Sequence, residues 1–175
     1  FFKQKTAYEI VDCDWSSDVC SSDLLAPVVV VVGFEADRIA DALAGLDCQR
    51  VTSPDPAGPS SLSLHAGLAA LPAGVEGAVT LLPDMPRVTG DMIRSVVAAA
   101  RGSHAPVVAS RYGEVTAPPL FFRRTVFPEL LAWTAEGCGK AVVRAHEAEA
   151  EYLDWPPPRL ADLDTPEDLR SLVEG

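Results

Sequence analysis

The chain has 175 residues, 48% of them hydrophobic, and sets 25 acidic side chains against 14 basic ones for a formal net charge of −11. That balance leaves no cationic face of the size nucleic-acid binding requires. The longest apolar run, Val28 to Val32 with its neighbours, is far shorter than the ~20 residues of a membrane span, and no secretion signal is visible, so the expected location is cytoplasmic.

Residues 1–24 stand apart from the rest. Phe1 to Ile10 and Asp14 to Leu24 resemble, residue for residue and in one frame, the translation of two sequencing-adapter oligonucleotides, with Val11 to Cys13 where a variable index falls. This leader is set aside from functional reasoning, as an expression scar would be. Without it the body keeps 12 basic and 20 acidic residues, a net charge of −8, and arginine outnumbers lysine eleven to one. Cys48 and Cys138 remain, without the paired spacing of a disulfide framework or a metal cluster. Residues 25–175 are expected to form one domain, burying roughly 68–70% of its unfolded surface.

Periodicity along the body alternates between the two regular structures. Pro27 to Val32 is a β-branched run ending at Gly33, the pattern of a strand buried on both faces. Ala36 to Leu46 places Ile39, Leu43 and Leu46 at helical spacing, and Gln49 to Thr52 reads as a short strand. A loop rich in turn formers, SPDPAGPSS, leads into a helix over Ser61 to Leu71 with Leu64, Leu68 and Leu71 on one face. Ala78 to Leu82 reads as a buried strand broken by Pro83. Thr89 opens a helix with Ile93, Val96 and Val97 inward, and Pro106 to Ser110 is the next strand. This β-α-β-α order implies a mostly parallel sheet with helices on both faces. Ligands of such sheets bind outside the carboxyl ends of the strands.

Chemistry is therefore expected where strands end. In Leu81-Leu82-Pro83-Asp84-Met85-Pro86 a carboxylate sits at such an end between two stiffening prolines. Asp84 is a candidate Mg²⁺ ligand, since Mg²⁺ takes one or two carboxylates plus substrate phosphates; the alternative is a turn that merely precedes the next helix. In Asp162-Leu163-Asp164-Thr165-Pro166-Glu167-Asp168, Thr165 as N-cap, Pro166 at the first helical position and Asp168 explain themselves as a helix start. Asp162 and Asp164 do not. They alternate on an extended approach and point the same way, an arrangement that either a cation or solvent must relieve.

Together LLPDMP, DLDTPED and the helix start GPSSLSLHAGLAALP resemble the molybdenum cofactor cytidylyltransferases and the wider MobA-like group of Rossmann-like nucleotidyltransferases, over nearly all of residues 25–175. The resemblance implies a three-layer αβα fold and a reaction in which a phosphate oxygen of the molybdopterin cofactor attacks the α-phosphorus of CTP and releases pyrophosphate. It implies Asp84 as the catalytic metal site, with Asp162 or Asp164 completing it around Mg²⁺. Ser60, Ser61 and Lys140 are then the expected nucleotide or phosphate contacts, although an N-cap role alone accounts for either Ser60 or Ser61. CTP or GTP and the molybdopterin cofactor are the implied partners, with a molybdoenzyme or its chaperone as a protein partner. Related guanylyltransferases carry asparagines in place of Asp162 and Asp164, which favours CTP.

Several departures qualify the resemblance. Ala117-Pro118-Pro119 stands where the family has Gly-His-Pro, and Glu136-Gly137-Cys138-Gly139-Lys140 where it has Gly-Asp-x-Gly. The family's opening strand and glycine-rich loop, LAAGxSxRxG followed by Lys, have no counterpart. The expectation is thus a fold lacking its first strand and phosphate cradle, and a chain that does not turn over CTP. The alternatives are a non-catalytic pterin-cofactor binding or delivery module, a guanylyltransferase of the same superfamily, and, more remotely, a glycosyltransferase.

Overall fold

A computed structural model describes residues 25–161 and Arg170. The leader, Asp162, Asp164 and the DTPED helix start lie outside the described residues. In chain order the elements are β1 (Val29–Val32), α1 (Ala36–Ala42), β2 (Gln49–Thr52), α2 (Ser60–Ala70), β3 (Gly77–Thr80) and α3 (Gly90–Gly102). They are followed by β4 (Val107–Tyr112), β5 (Val115–Arg123), α4 (Phe127–Ala132), α5 (Cys138–Ala145) and β6 (Glu151–Trp155), with 3₁₀ turns at Arg124–Val126 and Pro157–Arg159.

Among the described residues the strands form two sheets. β1 and β2 pair in parallel, Val29 beside Gln49 through Val32 beside Thr52. The second sheet has the order β3-β5-β4-β6. There β5 runs antiparallel to both neighbours while β4 and β6 are parallel, so β3, β4 and β6 share one direction and β5 alone is reversed. The sheet is mostly parallel in that sense, with a reversed strand that the β-α-β-α order did not anticipate.

Alternation along β4 separates the layers. Val107 and Ala109 join Leu68 of α2, Leu130 of α4 and Val142 of α5 on one face. Val108 turns to the other, against Val96 and Ala100 of α3 and Phe121. Since neighbouring strand residues point to opposite faces, helices cover both sides of the sheet. The chain is therefore a three-layer α/β fold, as its motifs imply. Ile39 and Leu43 pack with Val30 and Val32 in a further cluster on β1.

Departures from the expected boundaries have local causes. α1 stops at Ala42 rather than Leu46: tight turns from Ala44 to Asp41 and Leu46 to Leu43 replace the helical ladder, and Gly45 takes φ 89°, which L side chains rarely adopt. α2 begins one residue early. β3 ends at Thr80 because Leu82 already accepts from the Met85 amide in a turn. In β5, Pro118 and Pro119 sit inside a strand, which costs ladder bonds. A register break resolves this: Ala109 pairs with Leu120 and Ser110 with Ala117, so the two prolines form a buried bulge outside the ladder.

Candidate functional site

Connectivity fixes the edge on which the site lies. α2 starts just after β2 and ends just before β3, so it runs back across the sheet and brings the start of β3 to the opposite edge. The segment after β3, with Asp84, then returns to the edge where α2 begins. Ser63 anchors that corner by donating to Ser53 Oγ at 3.1 Å, both side chains buried. Asp84 and the N-terminus of α2 thus share the carboxyl edge.

The Asp84 loop is held from below and from the side. Met85 is 2% exposed and packs with Val88, Met92, Ile93, Tyr112 and Ala117, while Leu81, Leu82, Trp155 and Leu160 close the cluster. Burial pushes the Tyr112 phenol up to about 12, with Ser110 pulling weakly the other way. Its hydroxyl donates to the Pro118 carbonyl at 2.7 Å. The loop ends at Thr89, whose Oγ1 accepts from the Met92 amide at 3.4 Å and caps α3. Asp84 itself is partly buried.

The path toward the second pair of acids meets this loop. Arg87 donates to the Pro158 carbonyl at 2.7 Å, and Leu160 packs on the Met85 cluster. Asp162 and Asp164 follow within four residues but lie outside the described residues, so the structure does not place them against Asp84.

At the other corner, Ser60 and Ser61 are the first two residues of α2, and Pro59 holds the N-cap position without a side-chain cap. The serines are therefore not N-caps. Ser60 is exposed and Ser61 is fully buried. Glu136 takes the capping role from a distance: its Oε2 accepts from Ser60 Oγ at 2.7 Å and from the Ser60 amide at 3.3 Å. An anion accordingly sits at the positive end of α2. Trp133 Nε1 donates to the Glu136 carbonyl at 3.2 Å and stiffens the same loop. Gly137 then turns at φ 73° into α5, where Cys138 is buried and Lys140 exposed. Ser60 and the Glu136–Lys140 loop, 76 residues apart at the hydrogen bond, are thus brought together.

Sequence reasoning passed over Glu136 as a partner of Ser60, because a long-range cap has no local spacing signal. It also passed over Glu35, which holds a left-handed φ of 53° at the end of β1 while pairing with Arg38 at 2.6 Å. Two of the three histidines have structural partners: His65 Nε2 lies 2.9 Å from the Leu130 carbonyl, and His146 Nε2 meets the Glu129 carboxylate at 2.9 Å. Burial pushes the Cys138 thiol up. Among the described residues there is no group of three or more potential metal ligands, and no helix long and apolar enough to cross a membrane.

Residues 15–150 match the family model of the MobA-like NTP transferase domain. The fold is similar to that of Rv0371c from Mycobacterium tuberculosis H37Rv in complex with manganese, at 23% identity and a TM-score of 0.75, covering 90% of this chain and 83% of that one. A nucleotidyl transferase from Methanothermobacter thermautotroptrophicus matches at 18% identity and a TM-score of 0.70, over 90% and 78% of the two chains. The 4-diphosphocytidyl-2C-methyl-D-erythritol synthase of Anaerococcus prevotii matches at 12% identity and a TM-score of 0.70, over 90% and 85%. No curated protein sequence matches significantly.

Proposed function

We propose that this chain, which belongs to the MobA-like NTP transferase domain family, carries the acidic half of a site that moves CMP from CTP to the phosphate of molybdopterin cofactor with release of pyrophosphate. The observation that carries this reading is the shared carboxyl edge: the Asp84 loop at one corner, and the α2 N-terminus with the Glu136–Lys140 loop at the other.

Phosphoryl-type transfer needs positioning and charge neutralisation more than covalent chemistry. Asp84 is the described carboxylate on this edge that suits a Mg²⁺ ion, whose remaining positions substrate phosphates and water fill. Asp162 and Asp164 are proposed to complete the set, and the fold relative that carries manganese supports a divalent cation. When bound, that cation offsets the triphosphate charge. The chain's own residues do the positioning. The prolines flanking Asp84 and the Met85 cluster fix the carboxylate. The amides at the start of α2, with Ser60 and Ser61, offer an anion-binding end, and Lys140 adds a point charge. For an anion to reach Ser60, the Glu136 carboxylate must leave it. CTP is preferred here to GTP because Asp162 and Asp164 replace the asparagines of the guanylyl branch. A cytoplasmic location accords with these substrates.

A glycine-rich cradle of the family pattern is not in the 175 residues, so the chain alone should bind nucleotide weakly and release no pyrophosphate. Fusing a family member's first strand and glycine-rich loop ahead of Leu25 should restore transfer of labelled CMP to molybdopterin, with CTP favoured over GTP. Pyrophosphate release by the unfused chain, or equal use of GTP by the fusion, contradicts the reading.

A further inference from the structure

Among the described residues five large apolar side chains are more than a third exposed, and two of them, Leu131 at 46% and Trp133 at 40%, stand two positions apart. Apolar side chains scattered singly over a surface need no explanation. Trp133 differs because it is tethered. Its amide donates to the Leu130 carbonyl at 3.3 Å, ending α4, and its Nε1 donates to the Glu136 carbonyl at 3.2 Å. An indole whose polar edge is satisfied in this way offers the rest of its ring to a ligand at little cost in side-chain freedom.

The ring is tied through one residue to the start of α2. Glu136, whose carbonyl takes the indole bond, reaches that helix end with its carboxylate and accepts there from Ser60. The indole nitrogen is therefore within about 12 Å of Ser60 Oγ, since one glutamate residue and two hydrogen bonds bridge them. Lys140 is exposed on the same loop, just past the Gly137 turn.

Ser61 marks the same corner as a place for a ligand. Its side chain is fully buried, and its Oγ has no hydrogen-bond partner among the described residues. A buried hydroxyl left so is costly. Helical side chains lean toward the amino end of their helix, so this hydroxyl, second in α2, is directed at the end where the first amides lack helical acceptors.

We propose that Trp133 is a stacking platform: it holds the planar heterocycle of a ligand whose phosphate, once the Glu136 carboxylate has left, meets Ser60, Ser61 and Lys140. This inference rests on the nucleotide-transfer reading above and adds to it the residue that grips the ring. Stacking requires a flat π-system and tolerates different ones, while the corner of amides, hydroxyls and one ammonium selects phosphate. Together they select a phosphorylated heterocycle, a description that the nucleotide and the pterin phosphate of the proposed reaction share.

The test titrates the 175-residue chain, Trp133→Leu and Trp133→Phe with CTP, with pterin monophosphate and, as a ringless control, with inorganic tripolyphosphate. Leucine keeps apolar bulk without the flat ring; phenylalanine keeps a ring without the Nε1 bond. Binding is read by calorimetry and, in the unaltered chain, by quenching of tryptophan emission. At least one ring-bearing ligand should quench the parent and leave Trp133→Phe emission unchanged. That ligand should bind Trp133→Leu at least fivefold more weakly and Trp133→Phe within about twofold of the parent, while tripolyphosphate binds all three alike. Whichever ligand behaves so identifies the source of the ring. The proposal is overturned if neither ring-bearing ligand binds, if both bind Trp133→Leu as well as the parent, or if tripolyphosphate binding falls in Trp133→Leu by the same factor. Indifference of both ring-bearing ligands to Trp133, with Mn²⁺·CTP binding still lost in Asp84→Asn, removes the platform and leaves the transfer reading standing; the converse pattern removes that reading and leaves the platform.

Discussion

Replacing Tyr112 by Phe removes one oxygen from beneath the Asp84 loop, and its consequence depends on pH. Tyr112 is 2% exposed and donates its hydroxyl to the Pro118 carbonyl at 2.7 Å. Near pH 8 the variant loses that bond and leaves the carbonyl without its donor, which costs about 1–2 kcal/mol. For a domain of this size that lowers Tm by roughly 3–6 °C. Alkali reverses the comparison. Burial holds the Tyr112 phenol at about 12, against 10.0 for an ordinary tyrosine. A raised pKa means the folded state holds the proton more tightly than the unfolded state. Its stabilisation is thus complete below pH 10 and is lost as pH rises from there through 12, by about 1.4 kcal/mol per unit. Above pH 12 the parent chain forfeits close to 3 kcal/mol that Tyr112→Phe cannot lose. Urea denaturation of both proteins at pH 8, 10, 11 and 12 measures the difference, which cancels the titration of other groups. The two stabilities should converge and cross between pH 10 and 12. Parallel curves would refute the assigned burial and hydrogen bond.

Two further substitutions test the surrounding structure. A Cβ at Gly77 would lie 2.6 Å from the Phe122 carbonyl oxygen and inside van der Waals range of the Phe121 ring, so Gly77→Ala should destabilise by about 1–3 kcal/mol in chemical denaturation; an unchanged midpoint contradicts the β3-β5 packing. Glu136→Gln removes the carboxylate charge at the start of α2 and should raise affinity for Mn²⁺·CTP about three- to tenfold in calorimetry, in line with the ~1 kcal/mol scale of charges at helix ends. Weakened nucleotide binding in that variant would show that the carboxylate belongs to the site rather than competing with the ligand.

What was legible in the sequence and what was not divide along physical lines. The run through Val32, the leucines of α2 and the inward face of α3 announced themselves because burial on a regular element leaves a period. The Asp84 turn announced itself through two prolines. β5 did not, since two prolines argue against a strand, and only the bulge opposite Ala109 and Ser110 admits them. Its antiparallel direction likewise has no local signature. Of the candidate site, Asp84 and Ser60 were singled out by position, but the Ser60–Glu136 bond joins residues 76 apart and depends on how α2 meets the loop before α5. Asp162 and Asp164 rest on their spacing alone.

The central claim is that Asp84 holds the metal of a cytidine nucleotide on this edge. Titrating Mn²⁺ into the chain with CTP or GTP, followed by electron paramagnetic resonance, tests it for the parent and for Asp84→Asn. The account predicts a bound Mn²⁺ signal that CTP strengthens more than GTP and that Asp84→Asn weakens at least tenfold, with the thermal transition preserved. Equal Mn²⁺·CTP binding by a folded Asp84→Asn chain would contradict it.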